Sequence, residues 1–148
     1  MPDTLDEPLD ATPASGSDAM RAFLPHSPFV DRLGITLSEI GDDHAVLRMP
    51  YSPEHTTVGT MVHGGALAAC IDIGIMTAAW AGPRVPATLR GVTVSLSVEF
   101  LDPAFEEDVV VRAQRVRQGR RLSVCSVDLE GATSGKLLAK ALGTYQVG

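Results

Sequence analysis

Hydrophobic and polar residues alternate with a period of two in several parts of the chain, which is the pattern of strands with one buried face. Residues 92–100 are the clearest case, because valine, leucine and phenylalanine alternate there with threonine, serine and glutamate. Residues 35–40 and 44–50 flank a Gly-Asp-Asp turn and predict a hairpin. Three further strands are predicted at 107–117, 121–131 and 136–147.

One long segment, residues 63–80, lacks this alternation. It is rich in alanine and has no internal proline, so it predicts a single helix that ends before Gly82 and Pro83. Residues 51–62 before it predict a loop. An antiparallel sheet must cover its apolar face, and this helix is the only long one available to do so. The predicted fold class is therefore α+β.

The amino terminus differs in composition from the rest. Residues 1–17 are rich in Pro, Ser, Asp and Thr and contain only two leucines, so we expect a flexible acidic tail. Asp18 is expected to cap a short helix that runs to about Leu24. A chain of 148 residues suits one domain, which we expect to occupy residues 18–148.

The charge of the chain limits the classes of partner that it can bind. The formal net charge is −6, but five of the eighteen acids lie in the first twenty residues, so the remaining chain is close to neutral. This balance argues against nucleic acid as a partner, since phosphate binding needs a basic surplus. The acidic start does not resemble a secretory signal, and we expect a cytoplasmic protein.

The apolar residues 64–82 are almost long enough to span a membrane, but Asp72 near their middle argues against a span and against a membrane partner. Cys70 and Cys125 lie in apolar runs without companion ligands. We expect both to be buried thiols with no chemical role.

Asp72 is the only charged residue between His63 and Arg84. Its neighbours on the helix surface are all apolar, so its carboxylate projects from an apolar stripe, which is unfavourable without a partner. It either bonds to Thr77 or a backbone group, or reaches water, or serves as a base or nucleophile facing a ligand pocket.

The helix starts with His63, Gly64 and Gly65. The first N–H groups of a helix have no partner within it and lie at the positive end of its dipole. Two glycines let a carbonyl oxygen approach them, as in an oxyanion hole, although tight packing would also explain them. His63 alone fits either a structural or a functional role.

The distance between Asp72 and the N–H groups at the helix start predicts a dimer if both act on one substrate atom. Seven residues separate Gly65 from Asp72, which is about 10 Å along a helix axis. A short aspartate cannot cross that gap, so Asp72 would have to come from a second chain related by a two-fold axis. Joint action therefore predicts a dimer with two shared sites.

Five arginines lie in a single ten-residue segment of the predicted last strands. They are either a solvated strand face and hairpin tip or a docking patch for a phosphorylated carrier such as coenzyme A. They are Arg112, Arg115, Arg117, Arg120 and Arg121.

The sequence lacks the motifs of several other kinds of functional site. The sequence has none of the glycine-rich nucleotide-binding motifs, no serine-hydrolase elbow and no zinc-protease motif. His26, His44 and His55 are scattered without metal-ligand spacing. We expect no metal and no cofactor.

The segment Glu54 to Gly74, EHTTVGTMVHGGALAACIDIG, resembles the hot-dog fold thioesterases, in particular the phenylacetate-degradation-type acyl-CoA thioesterases. The similarity extends over about residues 27–147 and includes SPFVDRLGI, EFLDPA and QGRRL. It implies one long central helix wrapped by an antiparallel sheet of about five to six strands. It also implies dimers joined edge to edge through their sheets, commonly paired into tetramers.

The resemblance implies roles for particular residues. Asp72 matches the family's nucleophile or general base, His63 its histidine and Gly64 its oxyanion glycine, with Gly65 adjacent. Thr93 matches a hydroxyl residue that helps to place water in some members. Thr57 stands where many members have an asparagine that binds near the thioester. This departure leaves open a non-catalytic acyl-CoA binding or regulatory module as the alternative.

The function expected from the residues and the resemblance together is hydrolysis of an acyl-CoA or aryl-acyl-CoA, with coenzyme A as part of the substrate. Arg120 and Arg121 are expected to bind it. Four apolar residues are expected to contact the acyl tail, although they could equally belong to the core. They are Met61, Val62, Ile75 and Met76. A hot-dog hydratase or dehydratase is disfavoured, because such enzymes pair a histidine with a carboxylate in one site. His63 lies about 13.5 Å from Asp72 along the helix axis.

Overall fold

A computed structural model describes residues 12–148. The α-helices are α1 (Gly16–Phe23), α2 (Pro28–Leu33) and α3 (Gly64–Trp80). Short 3-10 turns lie at Leu24–His26 and Pro53–His55. The strands are β1 (Thr36–Ile40), β2 (His44–Met49), β3 (Thr56–Val58), β4 (Met61–Val62), β5 (Gly91–Phe100), β6 (Val109–Gln118), β7 (Leu122–Gly131) and β8 (Leu137–Val147).

Six strands form one antiparallel sheet in the order β1-β2-β6-β7-β8-β5. Helix α3 lies across one face and packs mainly against β2, β6, β7, β8 and β5. Its residues are apolar on nearly every side, which is typical of a buried helix. The α+β class and the hot-dog arrangement of one long helix on an antiparallel sheet are confirmed.

The carboxyl end of α3 is held by Arg115. Its guanidinium donates to the carbonyl oxygen of Ala81 at 2.6 Å and to that of Asp42 at 2.6 Å, and it also reaches Ala78 and Ala79. A cation at this end satisfies carbonyl groups that have no partner within the helix and opposes the helix dipole. Arg115 is therefore a structural residue and does not belong to a free arginine patch.

The first helix begins earlier than predicted. Ser15 is its N-cap and accepts from the Asp18 N–H, so Asp18 is not the cap. The Ser17 hydroxyl is buried between the Gly41 carbonyl and the Gly82 N–H, which fixes this helix against the end of α3. Residues 16 and 17 are thus part of the fold, whereas most of the predicted tail, residues 1–11, lies outside the described residues.

The predicted loop 51–62 contains structure of its own. After the 3-10 turn, β3 and β4 form a small hairpin whose turn includes Gly59 with φ +57°. Only glycine adopts this left-handed conformation easily, which is why the chain can reverse there. The hairpin continues directly into His63 and α3.

Strand β5 differs from the prediction of one buried face, because none of its residues is buried in the single chain. Within residues 12–148 its only sheet neighbour is β8, so β5 forms an edge of the sheet. The helix-facing Leu96 and Phe100 are 38% and 54% exposed. Alternation correctly groups Leu96, Val98 and Phe100 on one face, but it places Thr93 on the other, whereas an extra residue between Thr93 and Ser95 brings Thr93 to the helix side. Alternation also cannot predict whether the same chain covers a face.

Among residues 12–148, no helix combines the length and the apolar composition needed to cross a bilayer.

Candidate active site

Asp72 lies on α3 beside the edge strand, where its carboxylate meets the Thr93 side chain. The Thr93 Oγ1 donates to Asp72 Oδ1 at 2.6 Å, and both residues are half-buried. Thr77 is not a partner of Asp72, since its hydroxyl donates to the Ile73 carbonyl. One carboxylate oxygen is thus held by a hydroxyl, while no hydrogen bond in the described chain uses Asp72 Oδ2.

The start of α3 leaves one backbone donor free. The Gly65 N–H donates to His63 Nδ1 at 2.7 Å, so the histidine side chain caps the helix. Among the described residues, the Gly64 N–H has no acceptor. Of the two glycines expected to bind a carbonyl oxygen, only Gly64 has its N–H available, and Gly65 cannot supply a second donor while His63 caps it.

His63 also fixes the loop before the helix. Its N–H donates to the His55 carbonyl at 2.7 Å. Because Nδ1 accepts from Gly65, the proton of a neutral His63 ring is on Nε2. His63 therefore shapes the helix entrance through its backbone and its ring together.

Phe100 is the residue that sequence reasoning missed. A Cβ placed on Gly64 would lie 3.8 Å from its ring, so the aromatic side chain lies beside the residue that carries the free N–H. Phe100 ends β5 and is half-exposed. The only sequence signal was its place in the EFLDPA segment, which does not predict contact with the helix start.

Within one chain the two candidate halves of the site are separate. Gly64 and Asp72 lie on the same straight helix, eight residues or about 12 Å apart along its axis. Phe100 flanks the first group and Thr93 bonds to the second, so β5 runs alongside both. A single copy cannot bring them to one substrate atom.

Tyr145 on β8 lies near Asp72 and Trp80. Burial raises the pKa of its hydroxyl, the hydrogen bond with Trp80 opposes this, and the negative charge of Asp72 raises the pKa further. The hydroxyl is thus neutral at physiological pH. Tyr145 provides a protonated, partly apolar wall near the carboxylate.

The cysteines are inert, as predicted. Burial raises the pKa of Cys70 to about 12 and that of Cys125 to about 11, and both side chains are fully buried. Thiolates do not form at neutral pH under these conditions. Neither cysteine is a candidate nucleophile.

The remaining loop residues are distributed between surface and core. Thr57 is exposed, and within residues 12–148 its side chain has no hydrogen-bond partner. Met61 and Met76 are half-buried, whereas Val62 and Ile75 lie in the hydrophobic core, the alternative left open for them. The His55 Nδ1 is buried without a partner in the described chain.

The arginines separate into two groups. Arg112 pairs with Glu130 at 2.8 Å, and Arg115 holds α3. Arg117, Arg120 and Arg121 are exposed at the β6–β7 turn, where the part of the chain that the structure describes offers them no carboxylate. Arg84 joins them by donating to the Arg120 carbonyl at 2.9 Å. A small cavity between this turn and the end of α3 is lined in part by Trp80, Arg84 and Arg121.

No group of three or more His, Cys, Asp or Glu side chains among residues 12–148 is arranged to hold a metal ion.

Comparison with known proteins identifies the family. The family described as acyl-CoA thioesterase N-terminal domain matches residues 51–146, which include α3 and strands β3 to β8 apart from the end of β8. The chain belongs to the acyl-CoA thioesterases. Human acyl-coenzyme A thioesterase 13 is 32% identical over 116 residues, covering 77% of this chain and 80% of the human protein.

Solved structures agree with this assignment. A thioesterase family protein from Silicibacter pomeroyi has the same fold, with a TM-score of 0.82, 24% identity, and coverage of 90% of this chain and 100% of that one. A mutant of the phenylacetic acid degradation protein PaaI from Thermus thermophilus has a TM-score of 0.70 and 26% identity, and the match covers 82% of this thioesterase and 99% of that chain. The predicted family and enzyme class, a thioester hydrolase, are confirmed.

Proposed function

We propose that this thioesterase hydrolyses an acyl-CoA or aryl-acyl-CoA to the free acid and CoA at a site shared by two copies. Asp72 of one copy acts as general base or nucleophile, and the Gly64 N–H of the other polarises the thioester carbonyl. One observation carries this proposal: a carboxylate anchored by Thr93 and an unused N–H occupy the same apolar helix, but about 12 Å apart.

In the general-base route, a water oxygen attacks the carbonyl carbon while Asp72 Oδ2 accepts the water proton. The carbonyl oxygen becomes negatively charged and is stabilised by the Gly64 N–H at the positive end of α3. The carbon–sulfur bond then breaks, and the sulfur leaves as the thiol with the proton from Asp72. In the nucleophilic route, Asp72 attacks first, CoA leaves, and water hydrolyses the resulting anhydride.

Strand β5 supports the requirement for a second copy. No strand of the described chain pairs with its outer edge, and its helix-facing apolar side chains Leu96 and Phe100 are exposed. Free edges with exposed apolar residues favour pairing with another strand. The same strand carries Thr93 and Phe100, which adjoin the two halves of the site.

The phosphates of CoA are assigned to Arg120 and Arg121, with Arg84 beside them. Guanidinium groups without a carboxylate partner are suited to phosphate oxygens. Trp80, which lines the cavity next to Arg84 and Arg121, is eight residues or about 12 Å along the axis from Asp72. The long pantetheine arm of CoA can extend over that distance.

Replacing Arg120 and Arg121 together by Ala should raise KM for acyl-CoA about fivefold, the effect of roughly 1 kcal/mol for exposed charge contacts. The kcat should change little, because these side chains do not reach the thioester. Steady-state kinetics at low and high salt test this, since screening should reduce the difference. Arg112→Ala is the matched control because Arg112 is already paired with Glu130. An equal rise in KM in the control would contradict the assignment.

Thiol release from a panel of straight-chain and aryl acyl-CoAs tests the function itself. We expect turnover on at least one class, with Met61, Met76 and Phe100 contacting the acyl group. Tight binding of acyl-CoA without turnover of any member of the panel would refute catalysis and favour a binding module. The cytosolic location expected from the sequence stays a prediction.

A further inference from the structure

The amino-terminal residues 1–11, here called the acidic segment, contain four acids and no lysine or arginine. The acids are Asp3, Asp6, Glu7 and Asp10. The arginines assigned above to the CoA phosphates, Arg84, Arg120 and Arg121, are here called the phosphate site. We infer that the acidic segment binds to the phosphate site of its own chain and competes there with CoA. The inference rests on the proposed function and adds a regulation of that same site.

The first step is where the acidic segment joins the fold. A Cβ placed on Gly16 would lie 2.9 Å from the Arg84 carbonyl oxygen, so the start of α1 lies directly against the backbone of Arg84. The Ser17 N–H donates to the Gly82 carbonyl at 3.3 Å in the same connection between α3 and β5. Residue 11 is only five positions before Gly16. The acidic segment is therefore attached beside one member of the phosphate site.

The second step is that Arg84 leads to the other two arginines. Its Nη2 donates to the Arg120 carbonyl at 2.9 Å, and Arg84 and Arg121 line the same small cavity. All three side chains are exposed, and no carboxylate within residues 12–148 pairs with them. Guanidinium groups in this situation suit carboxylates as well as phosphates.

The third step is the reach of the segment. An extended chain spans at most about 3.3–3.6 Å per residue, so Asp10 lies within roughly 20 Å of Gly16, and Asp6 within roughly 36 Å. Because Gly16 touches Arg84, these acids can reach the phosphate site while α1 stays in place. A ligand tethered over such a short span has an effective concentration in the millimolar range. Weak ion pairs between exposed side chains are then sufficient for substantial occupancy.

Most of the other basic side chains are already engaged. Five of them form ion pairs with carboxylates of the described chain. They are Arg21, Arg48, Arg112, Lys136 and Lys140. Arg115 donates to carbonyl groups at the end of α3, whereas Arg117 is exposed at the same turn as the phosphate site and adds to its positive charge. Charge complementarity therefore favours the phosphate site, which is also where the segment is attached.

CoA affinity tests the competition. Since CoA binds only to chains whose phosphate site is unoccupied, an occupancy of about two thirds would raise its Kd about threefold. The neutral-segment variant keeps the length of the segment and removes its charges. It combines Asp3→Asn, Asp6→Asn, Glu7→Gln and Asp10→Asn. Isothermal titration calorimetry with CoA should show about threefold tighter binding to this variant at low salt, and no difference from wild type at high salt, where the ion pairs are screened.

The matched background is the double variant Arg120→Ala with Arg121→Ala. When these arginines are absent, neutralising the acidic segment should change CoA affinity little, because the two sets of residues are then uncoupled. An equal gain in affinity in both backgrounds would assign the effect to net charge alone and would overturn the inference. Unchanged CoA affinity of the neutral-segment variant at low salt would also overturn it.

Zero-length cross-linking tests the contact without CoA. Arg120→Lys supplies an amine, which a carbodiimide joins to a carboxylate in direct contact, and peptide mass spectrometry should find this position linked to the acidic segment. Arg112→Lys is the matched control, because its neighbour Glu130, which the native guanidinium contacts at 2.8 Å, should be its partner instead. The native pair of Lys140 and Asp128, at 2.6 Å, should link in every sample and verifies the reaction.

Two cross-linking outcomes would overturn the inference. One is a sample in which Lys140 links to Asp128 but position 120 does not link to residues 1–11. The other is a link that joins isotope-labelled to unlabelled chains in a mixture, because the segment would then belong to a second copy.

These experiments separate the inference from the proposed function. A link from position 120 to the acidic segment, in a protein that neither binds CoA nor turns over the acyl-CoA panel, would support binding of the segment and refute the proposed function. Turnover that requires Asp72, with a CoA affinity that depends on Arg120 and Arg121 but not on the charge of the segment, would support the function and overturn the inference.

Discussion

Asp72→Asn should lower kcat for acyl-CoA hydrolysis by about 10²–10⁴-fold, the usual contribution of a positioned acid or base. Asparagine keeps the size of the side chain, and its amide oxygen can still accept from the Thr93 hydroxyl. It cannot take a proton from water or attack the thioester at a useful rate. Because the substrate contacts remain, KM should change little. Thiol release measured with the best substrate of the panel gives both constants.

Thr93 supplies the matched pair of variants for this test. Thr93→Ser keeps the hydroxyl and should stay near wild type, whereas Thr93→Val removes the bond to Asp72 Oδ1 and should lower kcat less than Asp72→Asn does. If Thr93 had a purely structural role, its replacement would change thermal stability, but kcat would not differ between the Ser and Val variants. Full activity in a folded Asp72→Asn protein would exclude Asp72 as base or nucleophile.

Gly64→Pro should lower kcat by about 10²–10³-fold, as expected for the loss of one oxyanion donor. Proline removes the N–H, but it is well tolerated at the first position of a helix. His63 before it has φ −65° and ψ 135°, a conformation compatible with a following proline. The nearest Phe100 ring atoms would lie at ordinary van der Waals distance from the new Cβ. The fold should therefore survive while the donor is lost.

Gly64→Ala is the control, since it adds a Cβ but keeps the N–H, and we expect activity within a few-fold of wild type. Equal losses in the alanine and proline variants would assign the effect to bulk at this position instead of to the N–H group.

Mixing Gly64→Pro chains with Asp72→Asn chains tests whether the site is shared. A mixed dimer would combine both defects in one site and leave the other intact. Random pairing makes half of the dimers mixed, so activity should recover to about a quarter of wild type. If both groups acted within one chain, the mixture would stay inactive.

Much of the scaffold followed from local pattern. Period-two alternation placed the strands of the main sheet to within a few residues, because each strand interior alternates between core and solvent. The start and end of α3 followed from His63 and from the Gly82-Pro83 pair. The small β3–β4 hairpin was missed because two- and three-residue strands are too short to show a period.

The site was predictable only in part. Asp72 stood out as a single acid among apolar residues, and Gly64 as part of a glycine-rich helix start. That Gly64 rather than Gly65 keeps a free N–H depends on the rotamer of His63, and the contact of Phe100 with Gly64 depends on how β5 passes the helix. Arg115 does not belong to the arginine cluster expected from the sequence, because its guanidinium donates to four carbonyl groups, three of them at the end of α3. Closeness of the arginines in the sequence does not predict these contacts.

The sequence by itself determined the element order, the α+β class and the residue types of the candidate site, because periodicity, helix caps and an isolated charge are local properties. Only the tertiary structure decided that Thr93 bonds to Asp72, that Phe100 adjoins Gly64, and that β5 lies at the sheet edge with its helix-facing side only partly covered. These facts depend on contacts between residues far apart in the chain and on the order of the strands. Alternation along a strand contains no information about which neighbour covers it.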